Sequence, residues 1–508
     1  LRKLRQKPRQ IKKSNCKDNC QNKKDIYKNT EEDMSLSDQD LIQQLQQLIG
    51  AEQVITAPAD LEPYLLDWRK RYRGQAIAAL RPSNTQEVSA IVKLCVANHI
   101  AIVPQGGNTG MCGGATPNAS GRQVVISLQR MNQVRAVDTS NQTITVEAGV
   151  ILQTLQEAAA AADRYFPLSL GAEGSCMIGG NLSTNAGGTS VLRYGNAREL
   201  CLGLEVVLPN GEILNSLRGL RKDNTGYDLR DLFIGAEGSL GIITAAVMKL
   251  FPIPVAQWTA LVATPSAEGA VELLNRFQAG ASAQLTGFEM MSDESLALLK
   301  HYYPALASPL AGNNPYEVLV EISDYESSEH AMQLMESILK GALESGCASD
   351  AVIASNLAQA RKFWDMREHI PLAQADDGQN IKHDVSLPIS AIPQFVDICN
   401  AMLRSKYPNI RIINYGHLGD GNLHYNVAGP SSSETEYFFT TYSKEIQALV
   451  YAEVEKLNGS ISAEHGVGQQ KIDYLQGHRG EVAFNLMQSI KKALDPHNLM
   501  NPGKVIKL

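Results

Sequence analysis

Residues 104–110 read Pro104-Gln105-Gly106-Gly107-Asn108-Thr109-Gly110, and Gly113 and Gly114 follow closely. Adjacent glycines let the backbone take positive φ and turn successive N–H groups toward one point, which suits phosphate oxygens. Taken alone, such a run is as readily a bare turn. Two later segments repeat the chemistry. One runs from Gly174 and Ser175 through Gly179, Gly180, Asn181, Thr184 and Asn185 to Gly187 and Gly188; the other spans Gly235 to Ile243 with Gly238 and Gly241 inside it. Three such segments suit a long, flat, polar ligand such as a dinucleotide better than a single phosphate. Neither a GxGxxG opening a Rossmann helix nor a GxxxxGK[ST] loop is present.

The pattern around these runs is alpha/beta. Residues 35–50 read as a helix with Ser37 or Asp38 as cap, Leu41, Ile42, Leu45 and Leu48 as apolar stripe, and Gly50 as its stop. A strand at 75–80, a helix capped by Thr85 and a strand at 100–107 lead into the first glycine run. After Pro252 and Pro254 the strands WTALVAT and YEVLVEIS alternate with two helices, as an antiparallel sheet backed by helices would. A helix near 356–369, the strand pair RIINYGH and LHYNVAG, a helix at 435–458 and a last helix stopped before Pro496 complete the chain.

A length of 508 residues implies roughly three to four units. The expected division is a disordered basic extension (1–33), an N-terminal helical segment (34–73), a ligand-binding domain (74–254), a substrate or cap domain (255–455) and a C-terminal segment (456–508). Residues 1–33 hold eleven Lys and Arg against five acids, or +6, so a whole-chain charge of −7 leaves −13 on the other 475 residues. That electronegative body argues against nucleic acid as a ligand. The basic head has acids and weak amphipathicity, which disfavour a mitochondrial presequence, and Met34 is a candidate native start. Eight scattered cysteines without a CxxC pair argue against a disulfide scaffold or an iron–sulfur cluster. No apolar run is long enough for a spanning helix. The expected location is the cytoplasm, or the mitochondrial matrix if the source is eukaryotic.

The second strong signal is Tyr415-Gly416-His417-Leu418-Gly419-Asp420-Gly421-Asn422-Leu423-His424-Tyr425-Asn426. Two strand-like runs flank a Gly-Asp-Gly-Asn turn, and a hairpin there brings His417 and His424 side by side. Some forty residues later Glu464 adjoins His465. Two His and one Glu can hold a metal with an open position. The same residues can equally form a metal-free, hydrogen-bonded pocket, and spacing alone leaves both readings open. On a predicted helix Arg367 offers a two-pronged grip for a carboxylate, and Lys382 offers a mobile point charge.

In combination these segments resemble the flavin domain of the vanillyl-alcohol-oxidase-like flavoproteins. From about residue 70 to 508 the chain resembles their branch of D-lactate, glycolate and D-2-hydroxyglutarate dehydrogenases. The resemblance implies an α+β protein with a two-lobed vanillyl-alcohol-oxidase/PCMH-type FAD-binding domain, an α/β cap domain and a C-terminal helical segment. It implies that Gly106, Gly107, Asn108, Thr109 and Gly110 wrap the FAD pyrophosphate. Ser175, Gly179, Asn181, Thr184, Asn185, Gly187 and Gly188 would line the cofactor, joined by Pro104, Gly174 and Gly238, with Ile243 near its adenine half and Asn501 near its ring. Asn108 and Thr109 stand where some members attach flavin to a histidine, and His99 reads as structural, so non-covalent FAD is expected.

The resemblance also implies a divalent metal, usually zinc, on His417, His424 and Glu464. Arg367, Lys382, Asn426 and His465 would contact substrate, with His465 as the base. One departure stands out: four residues after the matched Arg the hydroxyglutarate enzyme has Thr, and this chain has Pro371, so one substrate contact is missing or supplied elsewhere. The implied activity is oxidation of D-2-hydroxyglutarate to 2-oxoglutarate. D-lactate or D-malate are alternative substrates, and a non-catalytic flavin-binding subunit of a glycolate-oxidase-like complex is the alternative role. A quinone or an electron-transfer flavoprotein is the implied electron acceptor, and a second copy in a homodimer is the expected assembly partner.

Overall fold

The computed structural model describes residues 36–508; the extension expected over 1–33 lies outside the described residues. Ser37 caps helix Asp38–Ile49, its hydroxyl accepting the Asp40 N–H at 3.1 Å. Leu41, Leu45 and Ile49 are buried, whereas Leu48, expected in the stripe, is 41% exposed. The buried line centres on Leu45, and Leu48 lies about 60° around the helix from it. The cap of helix Thr85–Ala97 is Asn84 rather than Thr85. Its side chain accepts the Glu87 N–H at 2.9 Å and makes Thr85 the first helical residue.

Two sheets share the first core. One has the order Val54–Ile55, Ala78–Leu80, Gln123–Ser127, Ala101–Gln105, and its last three strands are parallel. The other is antiparallel, in the order Val134–Asp138, Thr143–Glu147, Ile242–Lys249, Cys201–Val207, Ile213–Ser216. Helices Asp38–Ile49 and Thr85–Ala97 bury their apolar faces against this core.

The expected antiparallel sheet follows, with eight strands. Its order is Asp350–Ile353, Ala256–Thr264, Tyr316–Asp324, Leu285–Ser292, Arg411–His417, Asn422–Ala428, and both Asn380–Ile381 and Asp384–Ser386 pair with the last of these. Helices Ala267–Ala281, Ser328–Ser345, Ile392–Lys406 and Thr435–Lys456 cover one face. Helix Leu357–Asp377 covers the other, packing Phe363, Met366 and Ile370 on Ile413 and Tyr415. It runs eight residues past the expected end at 369 and carries Pro371 inside it. Burial of Ile370 and Ala373 offsets the backbone hydrogen bond that the proline removes. No helix among the described residues is long and apolar enough to cross a membrane.

The tail returns to the first sheet. Ile102 N–H donates to Leu499 O and accepts at its own carbonyl from Asn501 N–H, both at 2.7 Å. Lys491 is buried, and its ammonium donates to Asp495, Ser239 O and Met500 O. Removing one partner of a buried ion pair leaves the other charge uncompensated. Asp495→Ala should therefore cost about 3 kcal/mol or more in urea unfolding and expose the tail to proteolysis. A cost under about 1 kcal/mol would show that the pair does not hold the tail.

Candidate active site

A cleft opens where strand Ala101–Gln105 ends. Residues 104–112 form one wall, helix Ile178–Thr184 contributes Gly179, Gly180, Asn181 and Thr184, and Gly238 and Ile243 close the third side. Among the described residues, no backbone N–H of residues 106–110 finds a protein acceptor. A Cβ built on Gly110 or Gly180 meets no atom within 4 Å, so both glycines face open space. Gly107 is needed for a different reason: a Cβ there would lie 2.1 Å from Ser175 O, where the first two glycine segments touch. The buried Asn181 Oδ1 has no partner among the described residues. Free N–H donors, an orphaned amide oxygen and side-chain-free walls fit the pyrophosphate and planar rings of FAD.

Six of the expected cofactor residues stand outside this lining. Ser175 supports Gly107. Gly174 has Gln153 as its nearest neighbour. Asn185 ends helix Ile178–Thr184 at φ 53° and accepts the Arg198 N–H. Gly187 packs on Glu464, and the Gly188 N–H donates to that carboxylate. Asn501 is buried, its Nδ2 donating to Gly114 O at 3.0 Å and Glu237 O at 2.7 Å, so it clamps two cleft walls together. Sequence reading missed Glu237, which lines the cleft and whose carboxylate accepts from Val467 N and Gly468 N, anchoring the loop that carries Glu464 and His465.

Beside the cleft, the pairing register assembles the histidines. Strands Arg411–His417 and Asn422–Ala428 pair with Tyr415 opposite His424, which sets His417 and His424 on one face. Their rings lie 5.5 Å apart, and single donor atoms of His417, His424 and Glu464 lie within 4.8 Å of one another. His417 Nδ1 meets Glu289 Oε1 at 2.7 Å, leaving Nε2 toward Glu464 at 3.7 Å. Glu289 sits directly across the ladder from His417, and its other oxygen accepts from Arg367 Nε at 2.8 Å. Burial opposes charge on His417, yet Glu289 and Glu464 outweigh it and hold the imidazole up at about 9. Burial, reinforced by His417 and Arg367, pushes His424 well below its ordinary value. A proton held that firmly marks a site that attracts positive charge, and a divalent cation competes for the same nitrogen. This donor set fits zinc or another divalent metal.

Asp384 ties the set together. It opposes His424 in the ladder, and Oδ2 accepts from Glu464 N at 2.9 Å and His465 N at 2.8 Å. Asn422 Nδ2 donates to Oδ1 at 3.0 Å. Burial favours the neutral acid here, but His465, Lys471 and His424 outweigh it and hold the carboxyl well below the usual range. His465 Nδ1 faces Oδ2 at 3.7 Å, and its ring stacks 5.9 Å from His424 while also lining the flavin cleft. Burial lowers the pKa of His465 against the pull of Asp384, keeping it neutral and able to accept a proton.

Arg367 is buried, lies 4.7 Å over the Tyr415 ring, and among the described residues commits only Nε to protein, so its two Nη groups remain as a donating edge. Seven residues on, Gln374 occupies the same helix face; its Oε1 accepts from Lys382 Nζ at 3.3 Å, Tyr415 OH at 3.2 Å and Asn426 Nδ2 at 3.1 Å. Asn426 is held at both ends of its amide, because Oδ1 accepts the His383 N–H. Asp384 adjoins residues already singled out, and Gln374 shares the period of Arg367, so both left a sequence signal. Glu289 left none, since only strand pairing brings it to His417.

Two families match the chain: the FAD binding domain over residues 76–216 and the C-terminal domain of FAD linked oxidases over 253–505. A D-2-hydroxyglutarate dehydrogenase of Xanthomonas citri pv. viticola is 38% identical over 464 residues, 91% of this chain and 96% of its own length. The mitochondrial D-2-hydroxyglutarate dehydrogenase of Bos taurus is 38% identical over 89% of this chain and 81% of its own. A putative mitochondrial D-lactate dehydrogenase of Schizosaccharomyces pombe is 37% identical over 93% and 90%. Among solved structures, p-cresol methylhydroxylase superposes with a TM-score of 0.73 at 18% identity, over 92% of this chain and 96% of that one. Alkyldihydroxyacetonephosphate synthase gives 0.70 at 18%, over 94% and 86%. At that identity the likeness is one of fold, and it is the vanillyl-alcohol-oxidase/PCMH-type fold expected from the glycine segments.

Proposed function

Because the chain belongs to the FAD-linked D-2-hydroxy acid dehydrogenases, we propose that it oxidises D-2-hydroxyglutarate to 2-oxoglutarate. One observation carries the reading. His465 lines the flavin cleft and also stands in the histidine–carboxylate cluster, so cofactor and polarising groups share one substrate space. Residues 104–110 and the walls around Gly179, Asn181, Thr184, Gly238 and Ile243 would hold FAD without a covalent link, and the cofactor would supply the acceptor for a hydride from the alpha carbon. His417, His424 and Glu464 would hold a divalent metal, which would supply Lewis acidity favouring the alkoxide form of the substrate hydroxyl.

The chain's own groups do the rest. Arg367 presents its Nη edge to a carboxylate, Lys382 adds a second cation, and Asn426 holds the wall between them. His465 turns Nδ1 toward Asp384, which leaves Nε2 to take the hydroxyl proton. Glu289 keeps His417 oriented, as a carboxylate behind a metal-binding imidazole does. The electron acceptor that restores the cofactor would be a quinone or an electron-transfer flavoprotein.

D-lactate is the second reading, favoured by Pro371, which offers neither hydroxyl nor N–H to a far carboxylate. Anaerobic mixing of the yellow holoenzyme with D- and L-2-hydroxy acids separates the two. Bleaching should be fastest with D-2-hydroxyglutarate and absent with L isomers. Bleaching by short monocarboxylates alone would remove hydroxyglutarate as the substrate.

A further inference from the structure

A second set of donors adjoins the trio. Asp384, His424 and His465 each offer one ligand atom, and these atoms lie within 4.8 Å of one another. His424 belongs to both sets. His465 Nδ1 faces Asp384 Oδ2 at 3.7 Å, and His424 Nδ1 faces Oδ1 at 4.0 Å. Asp384 has room for an ion. A carboxylate offers about four lone-pair sites, and protein N–H groups from Glu464, His465 and Asn422 use three of them. By donor chemistry alone, two imidazoles and a carboxylate suit a divalent metal here as well as they do in the trio. Occupation of this set would undo the chemistry proposed above. A ligated His465 Nδ1 would leave the ring proton on Nε2, and Nε2 is the atom that takes the substrate proton.

What stands at this set is an ammonium. Lys471 is 3% exposed, and its Nζ lies 3.9 Å from Asp384 Oδ2. That Nζ has no hydrogen-bond partner among the described residues. A buried cation without a hydrogen bond is costly and calls for a reason beyond packing. The backbone fixes it in place. Lys471 N–H donates to Val467 O at 2.9 Å, and Lys471 O accepts from Tyr474 N–H at 3.0 Å. Two residues earlier, Gln469 N–H donates to Cys112 O at 2.9 Å and Gln469 Nε2 donates to Gly113 O at 2.9 Å, which ties the segment to the flavin cleft. The two donor sets therefore differ in the charge beside them. Glu464 is itself a member of the trio, and Glu289, shared with Arg367, backs His417. The second set has Asp384 as its one carboxylate, and Lys471 already stands on it. A divalent ion on Asp384 would meet that ammonium in a buried space, where like charges repel far more strongly than in water.

Resting on the metal reading above, we propose that Lys471 is a positioning residue that bars divalent metal from Asp384, His424 and His465. Metal is thereby confined to His417, His424 and Glu464, and His465 stays free as the base. Removing the ammonium turns the second set into a metal site.

The test counts zinc. Full-length, FAD-loaded protein and its Lys471→Met variant are dialysed against the same buffered Zn2+, and bound zinc is measured per flavin. The wild type should hold one zinc and Lys471→Met two. The second ion should lower kcat about 10²-fold or more, as loss of a general base does, and a weak chelator that removes it should restore turnover. A merely structural defect would not reverse in that way. Lys471→Arg keeps the charge and should stay at one zinc. Adding His465→Ala to Lys471→Met should return the count to one. If Lys471→Met fails to hold flavin, the neutral and polar Lys471→Gln gives the same reading. One zinc in the neutral variants, two in the wild type, an extra zinc that persists without His465, or loss of flavin from both neutral variants overturns the proposal. Should the wild type hold no zinc while Lys471→Met holds one, the trio falls and the barrier at Lys471 stands. Should neither hold any, both fall.

Discussion

Replacing His417 by alanine is expected to stop turnover and leave the protein yellow. His417 ends its strand on the cap sheet, outside the lining of the flavin cleft, so the glycine walls should fold and bind FAD without it. What it contributes is Nε2, facing Glu464 at 3.7 Å within the donor trio. Losing one of three ligands should strip the metal, and kcat/KM should fall about 10³-fold or more, as when a main transition-state stabiliser is removed. Metal analysis, flavin absorbance and turnover on one preparation check this. Glu289→Gln is the graded companion. It keeps the shape but removes the charge between His417 and Arg367, and should weaken metal affinity about 10- to 100-fold. Flavin lost together with turnover in His417→Ala would mean that the trio belongs to the cofactor site and the assignment is wrong.

His465→Ala should lower kcat about 10²- to 10⁴-fold, the range for loss of a general base, while metal and FAD contents stay at wild-type values. The pH profile separates this from general damage. Burial keeps the conjugate acid of His465 below the ordinary histidine value, and the neutral ring is the active form. Wild-type kcat/KM should therefore rise with pH, with its midpoint below the ordinary histidine value of about 6.5. The His465→Ala variant should lack that rise. A variant that is slow but keeps the rise would transfer the base role to another group, with the carboxyl of Asp420, raised by burial to about 7, as the candidate.

Much of this site was legible in one dimension, for reasons that can be named. The 415–426 hairpin is local: a Gly-Asp-Gly-Asn turn between two strand-like runs sets its register, and with it the approach of His424 to His417. The glycine runs were legible because chain that passes close to a ligand or to other chain excludes side chains. Their division of labour was not. Gly110 and Gly180 face the cleft, whereas Gly187 makes room for Glu464 and Gly188 donates its N–H to it, 276 residues along the chain. The helix through Pro371 outran its expected end because burial of its apolar face on the sheet outweighs a local breaker.

By itself, then, the sequence determined what near neighbours decide: which stretches are strand or helix, where the chain turns, and which small motifs carry imidazole or bare backbone. Only the tertiary structure decided which of those pieces stand together. Glu289 lies 128 residues from His417 and meets it through ladder register; Asp384 reaches the Glu464 and His465 amides across some eighty residues; and Tyr72, beside the turn at Asp67, packs its ring on Gly113. Such meetings depend on which strand edges pair and which faces bury, a free energy summed over the whole core, and no short stretch of chain contains it.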